Sequence, residues 1–259
     1  MSDSLPTLWH IEISHFSEKA RWALAYKGVE HKRRAPVPGA HIPVALFLTR
    51  GTHKTFPIIQ IDGQTVGDST DVIAALEDRF PDPPLYPADP EQRRRALELE
   101  DFFDEELGPH MRLLAFHEMR KDPARFKALM ERTAPGPLKK LAGPTALYAR
   151  TYANVRFRVD SVEAAATARA KIVAALDRLE AELDGSEYLV GDTFTVADLT
   201  AASLFNPIAL PDEGPVPNDE PSPKGLEEFR APLVERDGIR WVNEMFSRHR
   251  RPAKTAAVA

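Results

Sequence analysis

The chain has 259 residues, 43% hydrophobic and 28% charged, with a formal net charge of -5 and no cysteine. That length supports two modest domains with their own cores, and the acidic balance gives no general attraction to nucleic acid or to an anionic membrane surface. Without cysteine there is no disulfide, no cysteine-ligated zinc, no iron–sulfur cluster and no protein-thiol chemistry, so any sulfur nucleophile must arrive as a ligand.

In chain order, residues 7–11 are an apolar-rich strand, and residues 17–27 form a helix with Ala20, Ala23, Leu24 and Lys27 at helical spacing, stopped by Gly28. The loop Ile13-Ser-His-Phe-Ser17 joins them. A strand over 30–35 and a helix over about 41–50 follow. The stretch from Thr55 to Arg79 is the most informative. The residue before a proline is pushed into extended geometry, so Phe56-Pro57 opens a strand carried on by Ile58, Ile59 and Ile61. Asp62-Gly63 is a strong hairpin turn, and residues 64–66 return antiparallel. A helix then begins near Ser69, with Asp68 and Ser69 at its mouth. Free N–H groups and the positive end of the helix dipole there suit a carboxylate. The order β-α-β-α-β-β-α buries a small sheet under helices.

The proline-rich run 80–87 reads as an extended connector. From Pro90 the pattern is helical, carrying Leu97, Phe103 and Leu107, with a break at Gly108-Pro109 before Met111 and Leu114. A helix over 162–183 places Ile172, Ala175, Leu176 and Leu179 on one face. Thr195 with Asp198 forms a capping box for the next helix, whose apolar run over 199–205 points to burial at the domain centre. Residues 120–158 are broken by proline and glycine and leave room for an added helix pair or a lid. Residues 207–223 read as a proline-rich surface loop, 226–248 as a helix, and 252–259 as a frayed end.

Ser14-His-Phe-Ser-Glu-Lys-Ala-Arg-Trp-Ala-Leu24, Phe56-Pro57 and Asp68-Ser69 resemble the thioredoxin-fold N-terminal domain of the cytosolic glutathione S-transferase superfamily. Residues 188–198 are similar to the helix-initiating motif of that family's all-helical domain. The order and spacing of these motifs carry the resemblance, which is to serine-type, bacterial-like members with an extended helical domain. It implies an α/β thioredoxin-like N-terminal domain over 5–80, a linker over 81–90 and an all-α C-terminal domain over 91–250.

The resemblance further implies that glutathione is the co-substrate, conjugated to a small-molecule electrophile. In the family the proline at position 57 is cis. The backbone N–H and C=O of Phe56 then pair with the ligand's peptide backbone, while Asp68 and Ser69 receive its γ-glutamyl end. Ser14 falls at the strand-to-helix turn, where its hydroxyl can stabilise a thiolate. It can equally be a plain helix cap, and Ser17 reads mainly as a helix-start residue. No tyrosine precedes Tyr26, so neither the family's tyrosine nor its cysteine solution exists here. His10 and His15 can serve as thiolate partners or be surface histidines without a role. A homodimer is implied, with no metal, no nucleic acid and no membrane.

Other constellations are weaker. His10-Ile-Glu12 matches a fragment of a zinc deaminase signature, but the partner cysteines are missing. His110, His117 and Glu118 lack a third ligand at metal spacing, and Arg93-Arg-Arg95 reads as a solvated face. There is no GxGxxG, phosphate-binding loop or GxSxG. Phe102, Phe103, Met111 and Leu114 are candidates for an electrophile pocket or for the core. No early basic segment precedes an apolar run, and no apolar stretch reaches roughly 18 residues, so a cytoplasmic enzyme is expected. The alternative is a non-catalytic glutathione-binding or assembly protein of the same fold.

Overall fold

A computed structural model of the chain describes residues 5–36, 40–125, 127–128, 151, 159–215 and 222–256. Strands β1 (Thr7–Trp9), β2 (Lys32–Arg34), β3 (Ile58–Ile61) and β4 (Gln64–Gly67) form one mixed sheet in the order β2-β1-β3-β4. β1 and β2 are parallel and are connected through helix α1 (His15–Tyr26); β1 with β3 and β3 with β4 are antiparallel. Asp62 and Gly63 turn the β3–β4 hairpin with φ of 49° and 79°, left-handed values that a two-residue hairpin turn requires and that favour Asp-Gly. Helices α2 (His41–Leu48) and α3 (Ser69–Arg79) complete this thioredoxin-like domain.

The first strand is shorter than the apolar pattern suggests. His10 N still donates to Arg34 O at 2.9 Å, and beyond it Arg21 donates to the carbonyls of Ile11 (3.2 Å) and Glu12 (3.0 Å) instead of a strand. The second strand is likewise shorter than the 30–35 pattern. His31 pairs instead with the C-terminal tail, its N–H donating to Lys254 O and its carbonyl accepting from Ala256 N, both at 3.1 Å. The tail is therefore hydrogen-bonded as far as Ala256 rather than frayed from Pro252.

The helical part comprises α4 (Pro90–Phe102), a π-helical turn (Phe103–Leu107), α5 (Gly108–Met119), α6 (Val162–Leu183), α7 (Val196–Ala209), α8 (Lys224–Arg230) and α9 (Asp237–His249). Among the described residues after Pro90 the only β pairing is the isolated bridge of Thr255 to His31. The break expected at Gly108-Pro109 is instead the π turn. Pro109 follows directly on that turn, whose last bond runs from Gly108 N to Phe103 O. The single helix expected over 226–248 is two, because Pro232 cannot donate to a preceding turn. Most of residues 120–158, and 216–221 of the expected proline-rich loop, lie outside the described residues.

α7 occupies the centre of the helical domain, every residue from Val196 to Asn206 being buried. It runs through Pro207, so the loop expected from that residue starts after the helix. Pro207 has no N–H to offer the Ser203 carbonyl four residues back, and the Asn206 side-chain amide donates to that oxygen instead at 2.6 Å. The connector between the domains is pinned on both sides. Lys27 Nζ donates to Phe80 O (2.7 Å) and Pro83 O (2.9 Å), Glu77 Oε1 accepts from Leu85 N and Tyr86 N, and Val196 N donates to Leu85 O. One hydrophobic core spans both domains; a smaller cluster of Ala45, Phe56 and Ile58 lies with Trp9 and Ile11 on the sheet's other side. No helix among the described residues is long and apolar enough to cross a membrane.

Candidate functional site

The sheet register brings three separate pieces of sequence together. Trp9 pairs with Ile58, and Ile58 pairs with Gly67, so these three residues form one row across β1, β3 and β4. Just beyond that row lie the loop leading to Ser14, the Phe56-Pro57 step and the Asp68-Ser69 step. Ile11 and Phe56 pack in the same small cluster, and Lys19 Nζ on α1 donates to Thr70 Oγ1 on α3 at 2.9 Å, which ties the starts of the two helices together.

Ser14 is the N-cap of α1, half-buried, with extended backbone (φ -81°, ψ 121°). Its Oγ accepts from Ser17 N at 3.2 Å, which leaves the hydroxyl proton as a donor. Helix geometry leaves the first N–H groups of α1 without intrahelical acceptors, so the positive end of the dipole lies at the same place. Ser17 is fully buried and its Oγ accepts from Ile11 N at 3.2 Å, a bond that shapes the loop.

The Phe56–Pro57 peptide is cis, and Phe56 is 5% exposed. Its N–H and C=O enter no hydrogen bond among the described residues. Asp68 is exposed, takes φ of 75° and caps α3, its carboxylate accepting from Thr70 N at 3.0 Å. Ser69 is buried at the first position of that helix.

His10 and His15 are both buried rather than on the surface. His15 Nε2 donates to the Gly108 carbonyl at 3.0 Å, since a carbonyl can only accept; the same reasoning makes His10 Nδ1 the acceptor from Arg21 at 2.9 Å. Burial first, then the charge of Arg112, lowers His15 to about 3. Burial first, then Arg21, Arg33 and His31, lowers His10 to about 3. A neutral His10 whose Nδ1 already accepts from arginine forms no ion pair with Glu12, although that carboxylate lies 3.8 Å away. Neither imidazole is suited to act as a base at neutral pH.

Two buried charge clusters surround the site, and neither is marked in the local sequence. Lys19, with 0% exposure, lies 2.8 Å from both Glu100 and Asp104 of the other domain. Burial alone would lower its pKa, but the two carboxylates reverse this and the net shift is upward. Arg21 pairs with Glu18 at 2.6 Å, and Arg250 reaches the other Glu18 oxygen at 2.5 Å from the far end of the chain. Of the pocket candidates, Phe103, Met111 and Leu114 are wholly in the core, whereas Phe102 is half-buried beneath the Arg178 guanidinium. Among the described residues no group of three His, Asp or Glu can hold a metal ion.

The buried histidines make stability pH-dependent. Above pH 6.5 they are neutral in both states. As pH falls through 6.5 the unfolded chain takes up protons that native His10 and His15 refuse until about pH 3, so stability falls across that window. Asp198, pushed up to about 6 by burial against the pull of its hydrogen bonds, opposes this between its native value and the usual aspartate range. The urea midpoint should drop between pH 7.5 and pH 5, each histidine contributing at most about 1.4 kcal/mol per pH unit. His15→Gln should flatten that slope. An unchanged slope in the variant would remove His15 from the account.

The description "Glutathione S-transferase, N-terminal domain" matches residues 8–84, and "Glutathione S-transferase, C-terminal domain" matches residues 146–216. The chain is 28% identical over 126 residues to maleylacetoacetate isomerase of Rattus norvegicus, covering 47% of this chain and 58% of that protein. It is 34% identical over 95 residues to glutathione S-transferase U22 of Arabidopsis thaliana, covering 36% and 43%. The chain thus spans about half the length of these curated relatives. The β-etherase LigF from Sphingobium sp. strain SYK-6 superposes with a TM-score of 0.60 at 21% identity, over 93% of this chain and 99% of that one. A glutathione S-transferase from Methylobacterium radiotolerans, solved with glutathione sulfonate, superposes with 0.56 at 21% identity over 99% of each chain.

Proposed function

The chain belongs to the glutathione S-transferase superfamily, and on that premise we propose that it is a glutathione transferase, activating the tripeptide's thiol for attack on an electrophilic small molecule. The observation that carries the reading is Ser14. Its oxygen is held by Ser17 N, its hydroxyl proton is left to donate, and it stands at the positive end of α1. A thiolate placed there is stabilised by one charge-assisted hydrogen bond and by the helix dipole, so the thiol ionises nearer to neutral pH. Ser14 is the catalytic residue in this reading, and Ser17 and His15 hold the shape of its loop.

Glutathione lies across the first domain, residues 5–80, with its cysteinyl backbone paired to the N–H and C=O of Phe56 beside Pro57. Asp68 faces its amine, and Ser69 its γ-glutamyl carboxylate. Residues 81–90 act as the linker, and the helical domain, 91–250, presents the electrophile. A cytoplasmic homodimer without a metal completes the proposal. Because an isomerase stands among the relatives, a substrate panel should include activated alkenes as well as aryl halides.

The test is a calorimetric titration with glutathione. Asp68→Ala with Ser69→Ala should weaken binding by about 1–3 kcal/mol through loss of charge-assisted bonds. Unchanged affinity in the folded double variant would contradict this placement. The non-catalytic reading is favoured by the capping bond of Ser14, which suffices to explain a serine there. Saturable glutathione binding with no turnover across the panel would select it.

A further inference from the structure

The buried Lys19 ammonium meets one oxygen for each of its three N–H groups. Its Nζ donates to Thr70 Oγ1 at 2.9 Å and to Asp104 Oδ1 at 2.8 Å, and Glu100 Oε1 lies 2.8 Å away. Each partner belongs to a different element. Thr70 is the second residue of α3, Glu100 is on α4, and Asp104 is on the π turn that follows. Lys19 itself stands on α1, five residues after Ser14. One charge therefore joins the helix that Ser14 caps, the helix that starts at Asp68-Ser69, and the helical domain. Thr70 also shapes the turn before it, since its N–H donates to Asp68 Oδ1 at 3.0 Å. Asp68 is exposed and takes φ of 75° and ψ of 142°, a conformation that a residue with a Cβ keeps only where its surroundings impose it.

On the glutathione-transferase reading above, we infer that Lys19 and Thr70 are positioning residues for the γ-glutamyl end of glutathione: their bond sets Asp68 and Ser69 at a fixed span from Ser14. Neither touches the tripeptide. The ligand's own length is fixed by its covalent bonds, so a thiol seated at Ser14 leaves its far end sensitive to where α3 begins. A buried ammonium is a stiff anchor for that start, because a shift away from any partner leaves a charge poorly compensated in a low-dielectric interior. Cohesion of the two helices does not require it. Ala20, Leu24, Val72, Ile73 and Leu76 already share one core, and an apolar side chain in place of a buried ion pair is often as stable. The role falls on binding rather than on thiol ionisation, since Ser14 Oγ is held by Ser17 N without help from Lys19.

Thr70→Val removes the acceptor and leaves Lys19 between its two carboxylates, whereas Lys19→Met would strand both and endanger the fold. Thr70→Ser keeps the hydroxyl. The probes are glutathione and N-acetylcysteinylglycine, which retains the cysteinyl backbone and thiol and lacks the γ-glutamyl amine and carboxylate. Titration followed by nuclear magnetic resonance reads weak and strong binding alike. The unmodified chain should prefer glutathione by about tenfold or more, as charge-assisted bonds imply. In Thr70→Val glutathione affinity should fall about fivefold, the loss typical of one hydrogen bond, while affinity for the truncated probe stays within about twofold and the bound thiol titrates as before. Thr70→Ser should restore glutathione affinity to within about twofold. An unchanged glutathione affinity in Thr70→Val, an equal loss for both probes, or a Thr70→Ser variant as weak as Thr70→Val overturns the positioning role while the glutathione reading stands. Failure of glutathione to bind the unmodified chain, or equal affinity for the two probes there, overturns the placement of the tripeptide, and this inference with it.

Discussion

Ser14→Ala should cut turnover of glutathione with a reactive electrophile on the order of 10²-fold, the usual cost of removing one hydrogen bond to a developing anion. Glutathione affinity should change little, because in the proposed placement Phe56, Asp68 and Ser69, not Ser14, take the tripeptide's backbone and γ-glutamyl end. The substitution also removes the α1 cap, whose Oγ accepts from Ser17 N at 3.2 Å, so a stability loss of about 1 kcal/mol accompanies it. Turnover should therefore be measured well below the unfolding transition. The discriminating measurement is thiolate absorbance against pH with bound glutathione. The apparent thiol pKa should rise in Ser14→Ala and stay in place in Ser17→Ala, whose buried hydroxyl serves Ile11 N and whose loss affects stability. A titration unmoved by Ser14→Ala would transfer the role to the backbone amides of α1. The imidazoles are poor substitutes, both being neutral and already hydrogen-bonded.

The largest stability effect is expected at Asp198. Its carboxylate is wholly buried and accepts from Leu189 N, Thr195 N and Thr195 Oγ1, each at 2.8 Å. These bonds start α7, the helix at the centre of the second domain, and fix the turn before it. Asp198→Ala leaves two backbone N–H groups and a hydroxyl unsatisfied beside a small cavity, a loss on the order of 4 kcal/mol. Asp198→Asn keeps an acceptor and should lose less. Urea unfolding reads both. A midpoint for Asp198→Ala within error of the unmodified chain would show that the capping box is dispensable here.

Much of the fold was legible because it depends on local rules. Asp-Gly between apolar runs specifies a hairpin turn, and Thr195 with Asp198 specifies a helix start; both are present as read. The 22-residue helix Val162–Leu183 has the expected ends, with Ile172, Ala175, Leu176 and Leu179 on its buried face. In three places where the reading failed, a side chain or the chain's tail bonds to the backbone. Arg21 holds the carbonyls just beyond β1, Asn206 beside Pro207 takes the Ser203 carbonyl and carries α7 through, and the tail at Lys254 to Ala256 takes the edge beside His31.

The sequence by itself determined the thioredoxin-like and all-helical division, the hairpin, the caps, and the serine, Phe-Pro and Asp-Ser motifs, because propensity, turn chemistry and spacing act within a few residues. Tertiary structure alone decided that His10 and His15 are buried and neutral and that Lys19 and Arg21 are in the interior. It also decided that Arg112 stands over Phe16. A charged residue enters a low-dielectric interior only when an opposite charge or an acceptor meets it there. For Lys19 those partners are Glu100 and Asp104, for Glu18 one is Arg250, and the register of no single helix reveals them.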